Sequence, residues 1–512
     1  MRNGRAVTLV AAVTLALATA VGVRAGAFTL GPLVQVSGAS PLAGCSADNA
    51  AGQSGTVYLH SEVEPWIDVN PSNPNNIVGI WQQDRWSNGG SRGLVVGTST
   101  NGGASWTSVP TLKTTVCTGG TAANGGGYQR ATDPWVSFGP SGIVYQLSLS
   151  FNDVAPPFTT FDFDHALLAS RSTNGGLTWS DPVVVIRDTA PTVFNDKQSI
   201  TADPTNPSYV YAVWDRLVFP ASERASVVAS FRTSAFSGPT WFARSTDSGL
   251  TWEQARPIWD PGQQDQTIGN QIVVQPNGTL IDIFTEFNNE NAKKHRGGFV
   301  RVLRSTDKGA TWSGPYDIAR LGTIGVTDPE TGDDVRTGDI IPDIAVNPAN
   351  GRLYAAWQDA RFNGNQADAI AFSQSLDGGL TWSAPIKVNQ TPTTIPIGDQ
   401  QAFTPSVDVS ANGTVAVTYY DFRNNTDAPP LPTDYFIVHC HPATPTACTS
   451  AGNWSNESRL TNQSFDMRQA PDAGGFFTGD YEGLANAVND FTPFFSQPHG
   501  TDPSSTFFRR AG

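Results

Sequence analysis

The sequence predicts an all-β protein, a seven-bladed β-propeller, from three observations. A motif of the form S-x-D/N-x-G-x-S/T-W recurs five times, beginning at Ser99, Ser172, Ser245, Ser305 and Ser375. Seven segments in which apolar and polar residues alternate are spread along the chain, and most of them end in a turn signal such as Asn-Pro or Asn-Gly. The chain has 15% charged residues but 50 glycines, 36 prolines and 14 tryptophans, a composition typical of short strands and tight turns.

Each motif has the residue types of a tight turn. Its Asp or Asn can accept hydrogen bonds from nearby backbone amides, its Gly can adopt the left-handed conformation, and its hydroxyl groups can hold the loop. The terminal Trp then enters the next strand. We therefore assign the motif residues to structure and none of them to catalysis.

The alternating segments are the predicted innermost strands of the blades. They cover residues 65–71, 134–140, 198–204, 270–276, 342–348, 405–412 and 479–486. A second strand follows six of them, and four strands per blade give seven blades, with six blades as the alternative. The last blade lacks enough strands of its own, and residues 30–37 resemble the outer strands that follow the motifs. We therefore expect this N-terminal segment to complete the last blade and close the ring.

The first 27 residues read as a signal peptide. Two arginines precede an apolar run from Ala6 to Val23, and Ala25-Gly26-Ala27 offers a cleavage site after Ala27. A membrane anchor is the alternative, but the run is short for a bilayer span. Residues 28–512 are then expected to be one secreted, monomeric propeller domain.

Four cysteines in an exported protein predict two disulfides. The short spacing of Cys440 and Cys448 suits a stapled hairpin in the sixth blade, where it takes the place of the missing motif. Cys45 is then left to pair with Cys117. A metal site is the alternative, supported only by the histidines that flank Cys440.

The charge balance excludes some partners. A net charge of −14 argues against nucleic acid and against an anionic membrane surface. The acidic loop Asp328 to Asp334 could bind Ca²⁺ through oxygen ligands, although a solvated loop is the alternative, and no other cofactor or metal is expected.

The five motifs resemble the Asp boxes, also called bacterial neuraminidase repeats, of the sialidase superfamily. That resemblance implies a site on the face opposite the boxes, with a Tyr nucleophile, an activating Glu, an Asp acid/base and three arginines that bind the sugar carboxylate. No Arg-Ile-Pro motif precedes the first box, so Arg85 or Arg130 would stand for the first arginine. Arg361 lies at a position where the family has another of these three arginines.

One break in the repeat points to the same site. Four residues before the box serine, the third strand has Arg301 in blade four but an apolar residue in the other boxed blades, namely Val95, Leu168, Trp241 and Ala371. A guanidinium at an inward-facing position needs a partner, and Glu286 on the adjacent strand is the obvious one. The pair resembles the Glu and the carboxylate-binding Arg of sialidases, and a buried structural bridge is the alternative.

Two further positions complete the candidate site. Tyr481, at the start of the last innermost strand, is the candidate nucleophile. Glu482, the next residue, is a candidate substrate contact. Asp133 is the candidate acid. The sequence thus favours a secreted exo-glycosidase acting on a terminal acidic sugar, by hydrolysis or by lyase chemistry on a uronate. The alternative is a non-catalytic extracellular propeller that binds glycan or protein.

Overall fold

The computed structural model describes residues 1, 26–49, 55–152, 164–190, 192–218, 237–288 and 297–512. All but three residues of the predicted signal peptide lie outside these ranges. Within them the chain forms 32 strands and seven 3-10 helices of three or four residues, which confirms the all-β class. No helix in the described ranges has the length and apolar character needed to cross a bilayer.

Most strands belong to seven antiparallel units, which we number along the chain. The pairing of Ser91 with Ala131 joins units one and two into one eight-stranded sheet. The first described strand, β1 (Val34–Gln35), belongs to unit seven. Unit one contains β2 (Glu62–Val69), β3 (Ile77–Arg85), β4 (Ser91–Ser99) and β5 (Thr107–Val109). Unit two contains β6 (Arg130–Phe138), β7 (Val144–Phe151), β8 (His165–Ser172) and β9 (Val183–Asp188). Unit three contains β10 (Val193–Ala202), β11 (Val210–Val218), β12 (Thr240–Ser245) and β13 (Arg256–Trp259).

The remaining units follow in the same way. Unit four contains β14 (Gln266–Val274), β15 (Leu280–Asn288), β16 (Gly297–Ser305) and β17 (Ser313–Leu321). After β18 (Val326–Thr327) and β19 (Asp334–Arg336), unit five contains β20 (Asp343–Val346), β21 (Leu353–Asp359), β22 (Ala369–Ser375) and β23 (Ile386–Lys387). Unit six contains β24 (Ala402–Val409), β25 (Val415–Asp421), β26 (Pro432–Cys440) and β27 (Asn456–Arg459). After β28 (Phe465–Asp466) and β29 (Phe476–Phe477), unit seven contains β30 (Gly483–Ala487), β31 (Asp490–His499) and β32 (Asp502–Phe508).

The 3-10 helices are all in the connections. They cover Val116–Thr118, Ala122–Asn124, Ala360–Asn363, Ile397–Gln400, Ala447–Thr449, Ala451–Asn453 and Met467–Gln469.

The first strand of each unit contacts the first strand of the next, and β30 contacts β2. Polar side chains join these strands across unit boundaries. The Asp68 carboxylate accepts a 2.6 Å bond from the backbone N–H of Phe138, and the Ser406 hydroxyl donates a 2.6 Å bond to the carbonyl of Glu482. The first strands therefore form the common centre of the units.

Five of the first strands carry a bulge at one equivalent position. The bulged residue has a positive φ each time: 52° at Glu64, 52° at Asp133, 47° at Lys197, 71° at Gly269 and 48° at Thr404. Left-handed backbone is unfavourable for side chains such as Glu and Lys, and bulges of this kind re-aim a side chain near functional sites. Here they direct the side chains of Glu64, Asp133 and Lys197 to one point.

The five repeated motifs share one hydrogen-bond pattern. In each, the serine hydroxyl accepts a 2.8–2.9 Å bond from the backbone N–H of the glycine four residues on. The Asp or Asn side chain accepts a 2.9–3.0 Å bond from the backbone N–H of the Ser or Thr before the tryptophan. All of these donors and acceptors lie within the turn, so the motifs hold strand ends together, as their residue types predict.

The N-terminal segment pairs with the C-terminal one, as expected. Val34 and Gln35 of β1 lie opposite Phe508 and Phe507 of β32, and the backbone of Thr29 bonds to that of Gly512. Both predicted disulfides are confirmed: the Cα atoms are 5.7 Å apart in Cys45–Cys117 and 5.8 Å apart in Cys440–Cys448.

The stability of the protein should depend on pH through its buried carboxyl groups. Burial raises the pKa of Asp68, Asp343 and Asp408 to about 7 each, despite the hydrogen bonds that they accept. Because the folded state holds these protons more tightly than the unfolded chain, their stabilisation is complete below about pH 4 and is lost as the pH rises through about 7. We expect a higher melting temperature at pH 5 than at pH 8. The difference should shrink in Asp68→Asn, which keeps the acceptor for Phe138. An equal difference in that variant would contradict the assignment to Asp68.

Candidate functional site

The side chains that meet between the first strands form one ion-pair cluster. Lys197 Nζ lies 3.1 Å from Glu64 Oε1, 3.0 Å from Asp133 Oδ1 and 2.7 Å from Asp480 Oδ2. The lysine side chain is only 5% exposed, and the three acids are as deeply buried. We call Glu64, Asp133, Lys197, Asp480 and Arg336 the central cluster.

Arg336 enters the cluster from an additional small sheet. Its strand, β19, pairs with β18 and, in parallel, with β29. The Arg336 guanidinium bonds to both carboxylate oxygens of Asp480, with Nε 2.9 Å from Oδ1. It also lies 4.5 Å from the ring centre of Phe477, which Arg85 contacts as well, at 5.2 Å. The connections between units four and five and between units six and seven thus lie against the cluster.

The acids of the cluster have different protonation tendencies. Burial raises the pKa of Glu64 to about 8, although the charge of Lys197 opposes this. Burial also raises the pKa of Asp133, and the nearby Asp196 adds to the effect. Asp480 is the reverse case: burial alone would raise its pKa, but Arg336 and Lys197 hold it well below the usual range. Around one lysine, burial thus raises the pKa of Glu64 and Asp133, whereas the neighbouring cations lower the pKa of Asp480.

A row of two further acids extends behind Asp133. Asp196 lies opposite Asp215 in the β10–β11 ladder, and burial raises the pKa of both. The Asp215 carboxyl is fully buried, and neither of its oxygens has a hydrogen-bond partner within the described ranges. Negative charges on neighbouring buried carboxyl groups repel one another. Each of these acids therefore raises the pKa of its neighbours and favours their protonated form.

A narrow pocket opens beside the cluster. Trp66 and Trp135 stack on each other at a ring distance of 3.5 Å, and the Tyr481 ring packs against both. Lys197 and Asp480 line the pocket too, as do Gln198 and Asn270. The cavity volume is about 30 Å³, enough to hold about two water molecules.

The structure brings two of the predicted catalytic residues together. Asp133 belongs to the central cluster, and Tyr481 lies beside it, with its ring 5.9 Å from Lys197 Nζ. The Tyr481 hydroxyl is buried and donates a 3.3 Å bond to the carbonyl of Pro134, and burial among acids raises its pKa well above the usual value. The nucleophilic role of Tyr481 stays a prediction.

Glu286 and Arg301 form the expected ion pair, in unit four. Arg301 Nη1 lies 2.5 Å from Glu286 Oε1, and Trp259 donates a 2.8 Å bond to the other oxygen. Arg301 also bonds to Asp317 at 2.7 Å. This pair lies on β15 and β16, the second and third strands of its unit, whereas Glu64, Asp133 and Lys197 lie on first strands.

The other predicted arginines bind groups outside the central cluster. Arg85 donates a 3.0 Å bond to Gln82. Arg130 bonds to the side chain of Asn88 at 2.8 Å and stacks on Trp86. Arg361 pairs with Asp359, the last residue of β21.

Two further sequence predictions fall elsewhere. Glu482 is fully buried: it accepts a 2.9 Å bond from the Tyr420 hydroxyl and another from the backbone N–H of Ser496. In the acidic loop, Arg468 binds Asp328 at 2.5 Å and Glu330 at 2.7 Å. The Arg468 guanidinium thus already binds two of the carboxylates that we predicted could bind Ca²⁺. A calcium ion in this loop stays a prediction.

Sequence reasoning assigned no role to Glu64, Lys197, Arg336 and Asp480. A usable signal was present for the acids, since Glu64-Pro-Trp and Asp133-Pro-Trp stand at the same point of two first strands. The lysine position in the next unit carries no such pattern, and only the register of β10 reveals it.

Comparisons with known proteins find that the chain is similar to parts of a xyloglucanase and of a sialidase. No family model matches the chain. A xyloglucanase from Paenibacillus sp is 27% identical over 277 residues, 53% of this chain and 22% of that protein. A sialidase from Bacteroides fragilis (strain YCH46) is 27% identical over 128 residues, 23% of this chain and 24% of that protein. The matched parts thus span about a quarter or less of the relatives' own length.

Solved structures also resemble the chain at low identity. A mutant form of NanB sialidase from Streptococcus pneumoniae has a TM-score of 0.45 at 9% identity, covering 94% of this chain and 98% of that one. An alpha-L-arabinanase from Penicillium chrysogenum has a TM-score of 0.42 at 12% identity, covering 74% and 92%. In sequence, 53% of the chain is matched by the xyloglucanase and 23% by the sialidase from Bacteroides fragilis.

Proposed function

We propose that the protein is a glycoside hydrolase whose reaction takes place at the central cluster. The observation that carries the proposal is the contrast between Asp133, whose pKa is raised, and Asp480, whose pKa is lowered, on the same lysine nitrogen. Two carboxyl groups whose environments push their pKa values apart are suited to serve as acid and as nucleophile or base.

The geometry suits a reaction in two steps. The oxygens of Asp133 and Asp480 that bind Lys197 are 3.0 and 2.7 Å from its nitrogen, so they lie less than about 6 Å apart, nearer to the spacing of retaining than of inverting enzymes. In the first step Asp133 gives its proton to the leaving oxygen while Asp480 bonds to the anomeric carbon. In the second step, a water molecule gives a proton to Asp133. The oxygen of that water bonds to the anomeric carbon and displaces Asp480.

The fold proposal follows the order of the first strands. We propose that the seven units are the blades of one propeller and that β1 closes the ring by completing unit seven. Support comes from the cyclic contacts of the first strands and the pairing of β1 with β32. Secretion fits the two disulfides, because such bonds persist in oxidising compartments.

The substrate proposal is a glycan. A terminal acidic sugar, as predicted from the sequence, would need cations free to bind its carboxylate. In the central cluster, Lys197 and Arg336 already bind acids. An acidic sugar therefore stays a prediction to be tested beside neutral ones.

The proposal is tested with the purified protein on fluorogenic sialosides, aryl glycosides, xyloglucan and arabinan. We expect Asp133→Asn to lower kcat by about 10²–10⁴, the usual contribution of a general acid, with an unchanged melting temperature. Asp181→Asn is the matched control, since that carboxylate is 61% exposed and belongs to a surface pair. Full activity in Asp133→Asn would refute the assignment.

Tyr481→Phe separates the two possible nucleophiles. If Asp480 is the nucleophile, the variant keeps most of its activity, because the lost hydroxyl only donates to Pro134. Loss of activity at unchanged stability would instead move the role to Tyr481. If no glycan is cleaved by the wild type, the buried ion pairs of the cluster favour the alternative, a propeller that binds glycan or protein without catalysis.

A further inference from the structure

Lys197 does not account for the contrast between Asp133 and Asp480, because it contacts both. Its Nζ lies 3.0 Å from Asp133 Oδ1 and 2.7 Å from Asp480 Oδ2. Burial raises the pKa of each acid, and the charge of Lys197 lowers the pKa of each. The group that distinguishes them is Arg336: after burial, its charge is the largest influence on the pKa of Asp480, and the direction is downward.

The Arg336 guanidinium binds Asp480 through two nitrogens. Nε lies 2.9 Å from Oδ1, and Nη2 pairs with Oδ2. Such a bidentate pair fixes the plane of the carboxylate, which a point charge such as an ammonium group does not. The side chains are 16% and 5% exposed, so solvent screens the pair little. The pair therefore determines both the charge and the orientation of Asp480.

The Arg336 side chain is itself held in place. Its Nη1 donates a 3.1 Å bond to the carbonyl of Ala473, and its central carbon lies 4.5 Å from the ring centre of Phe477. The backbone next to it packs directly on Asp480, because Gly338 has a φ of 57° and a Cβ atom there would overlap the Asp480 carbonyl. The connection between units four and five is thus built to approach Asp480 closely.

Asp480 also faces charged and titratable groups on the blades. These are Lys197, Glu64, Asp133, Arg85 and Tyr481. Within the described ranges, Lys197 and Arg336 are the only basic side chains in ion-pair contact with Asp480. Because Lys197 also binds Glu64 and Asp133, loss of Arg336 would leave Asp480 with a cation shared among three acids.

We propose that Arg336 is a positioning residue that keeps the Asp480 carboxylate ionised and fixes its orientation for bonding to the anomeric carbon. The inference rests on the proposed function, in which Asp480 is the nucleophile. It adds that a side chain from β19, a strand outside the seven units, sets the acid limit of the reaction. Arg336 acts through Asp480.

The pH dependence of kcat/KM, on the glycan that the wild type cleaves, tests the inference. An ionised nucleophile is available only above its pKa, so loss of Arg336 should move the acid limb of the profile upward. We expect a shift of about 1–3 pH units in Arg336→Gln, the usual effect of one opposite charge. Arg336→Lys keeps the charge but not the bidentate contact and should shift the limb less. Arg187→Gln is the control: that side chain is 56% exposed and pairs with Asp164, outside the central cluster, so the limb should not move.

Stability gives a second readout that needs no substrate. Because the pKa of Asp480 is lower in the folded protein, its stabilisation is present above the pKa of the unfolded chain and is lost as the pH falls through the folded value. The free energy of unfolding should therefore fall more between pH 6 and pH 3 in the wild type than in Arg336→Gln. The difference should vanish when both chains also carry Asp480→Asn.

The outcomes separate this inference from the proposed function. Hydrolysis with the same acid limb in the wild type and in Arg336→Gln supports the hydrolase and overturns the role of Arg336. Absence of hydrolysis together with the expected difference in acid stability contradicts the hydrolase and supports Arg336 as the group that keeps Asp480 ionised. An equal loss of stability on acidification in both chains overturns the inference in either case. Arg336→Lys serves for both measurements if Arg336→Gln does not fold.

Discussion

Removal of residues 28–40 should abolish soluble, folded protein. This segment supplies β1, the ladder partner of β32, and Phe28, which stacks on His439 at 3.8 Å. Ser37 in addition donates a 2.8 Å bond to the buried Glu62. Without these residues β32 becomes a free edge, and the apolar Phe507 and Phe508 lose their cover, a combination that favours aggregation.

The deletion is compared with a chain that begins at Gly26, by yield, size-exclusion chromatography and circular dichroism. A deleted chain that is monomeric and melts at the same temperature as this control would show that β1 does not complete unit seven.

Lys197→Met should be the most destabilising single substitution in the central cluster. It keeps most of the side-chain volume but leaves Glu64, Asp133 and Asp480 buried without the cation that they share. Removal of one partner from a buried ion pair costs about 3–5 kcal/mol. The free energy of unfolding, from denaturant titration at pH 7, measures the loss.

The matched control for Lys197 is an exposed lysine in an ion pair. Lys113 and Asp181 are 36% and 61% exposed, and such a pair contributes about 0–1 kcal/mol. If Lys197→Met and Lys113→Met have the same effect, the cluster is not an important source of stability.

The regular part of the fold was predictable because the sequence repeats it. The five motifs locate the turns between the third and fourth strands, and the alternation that follows each one marks the next first strand. The cysteine spacing predicts both disulfides, since only one of the three possible pairings of four cysteines joins Cys440 to Cys448.

The central cluster was harder to predict because β-bulges determine where its side chains point. A positive φ at Glu64, Asp133 and Lys197 turns residues from three units to one point, and period-two alternation contains no information about such a local break. Arg336 comes from β19, a strand outside the repeat, so no comparison between units reveals it. Arg301 illustrates the opposite case: its position breaks an apolar pattern, and its predicted partner, Glu286, is in place.

The location of a bound sugar tests the account most directly. A crystal structure of Asp133→Asn with an oligosaccharide substrate should show the glycosidic oxygen within hydrogen-bond distance of residue 133 and the anomeric carbon facing Asp480. Sugar bound elsewhere, for example beside Glu286 and Arg301 in unit four, would contradict the assignment of the reaction to the central cluster.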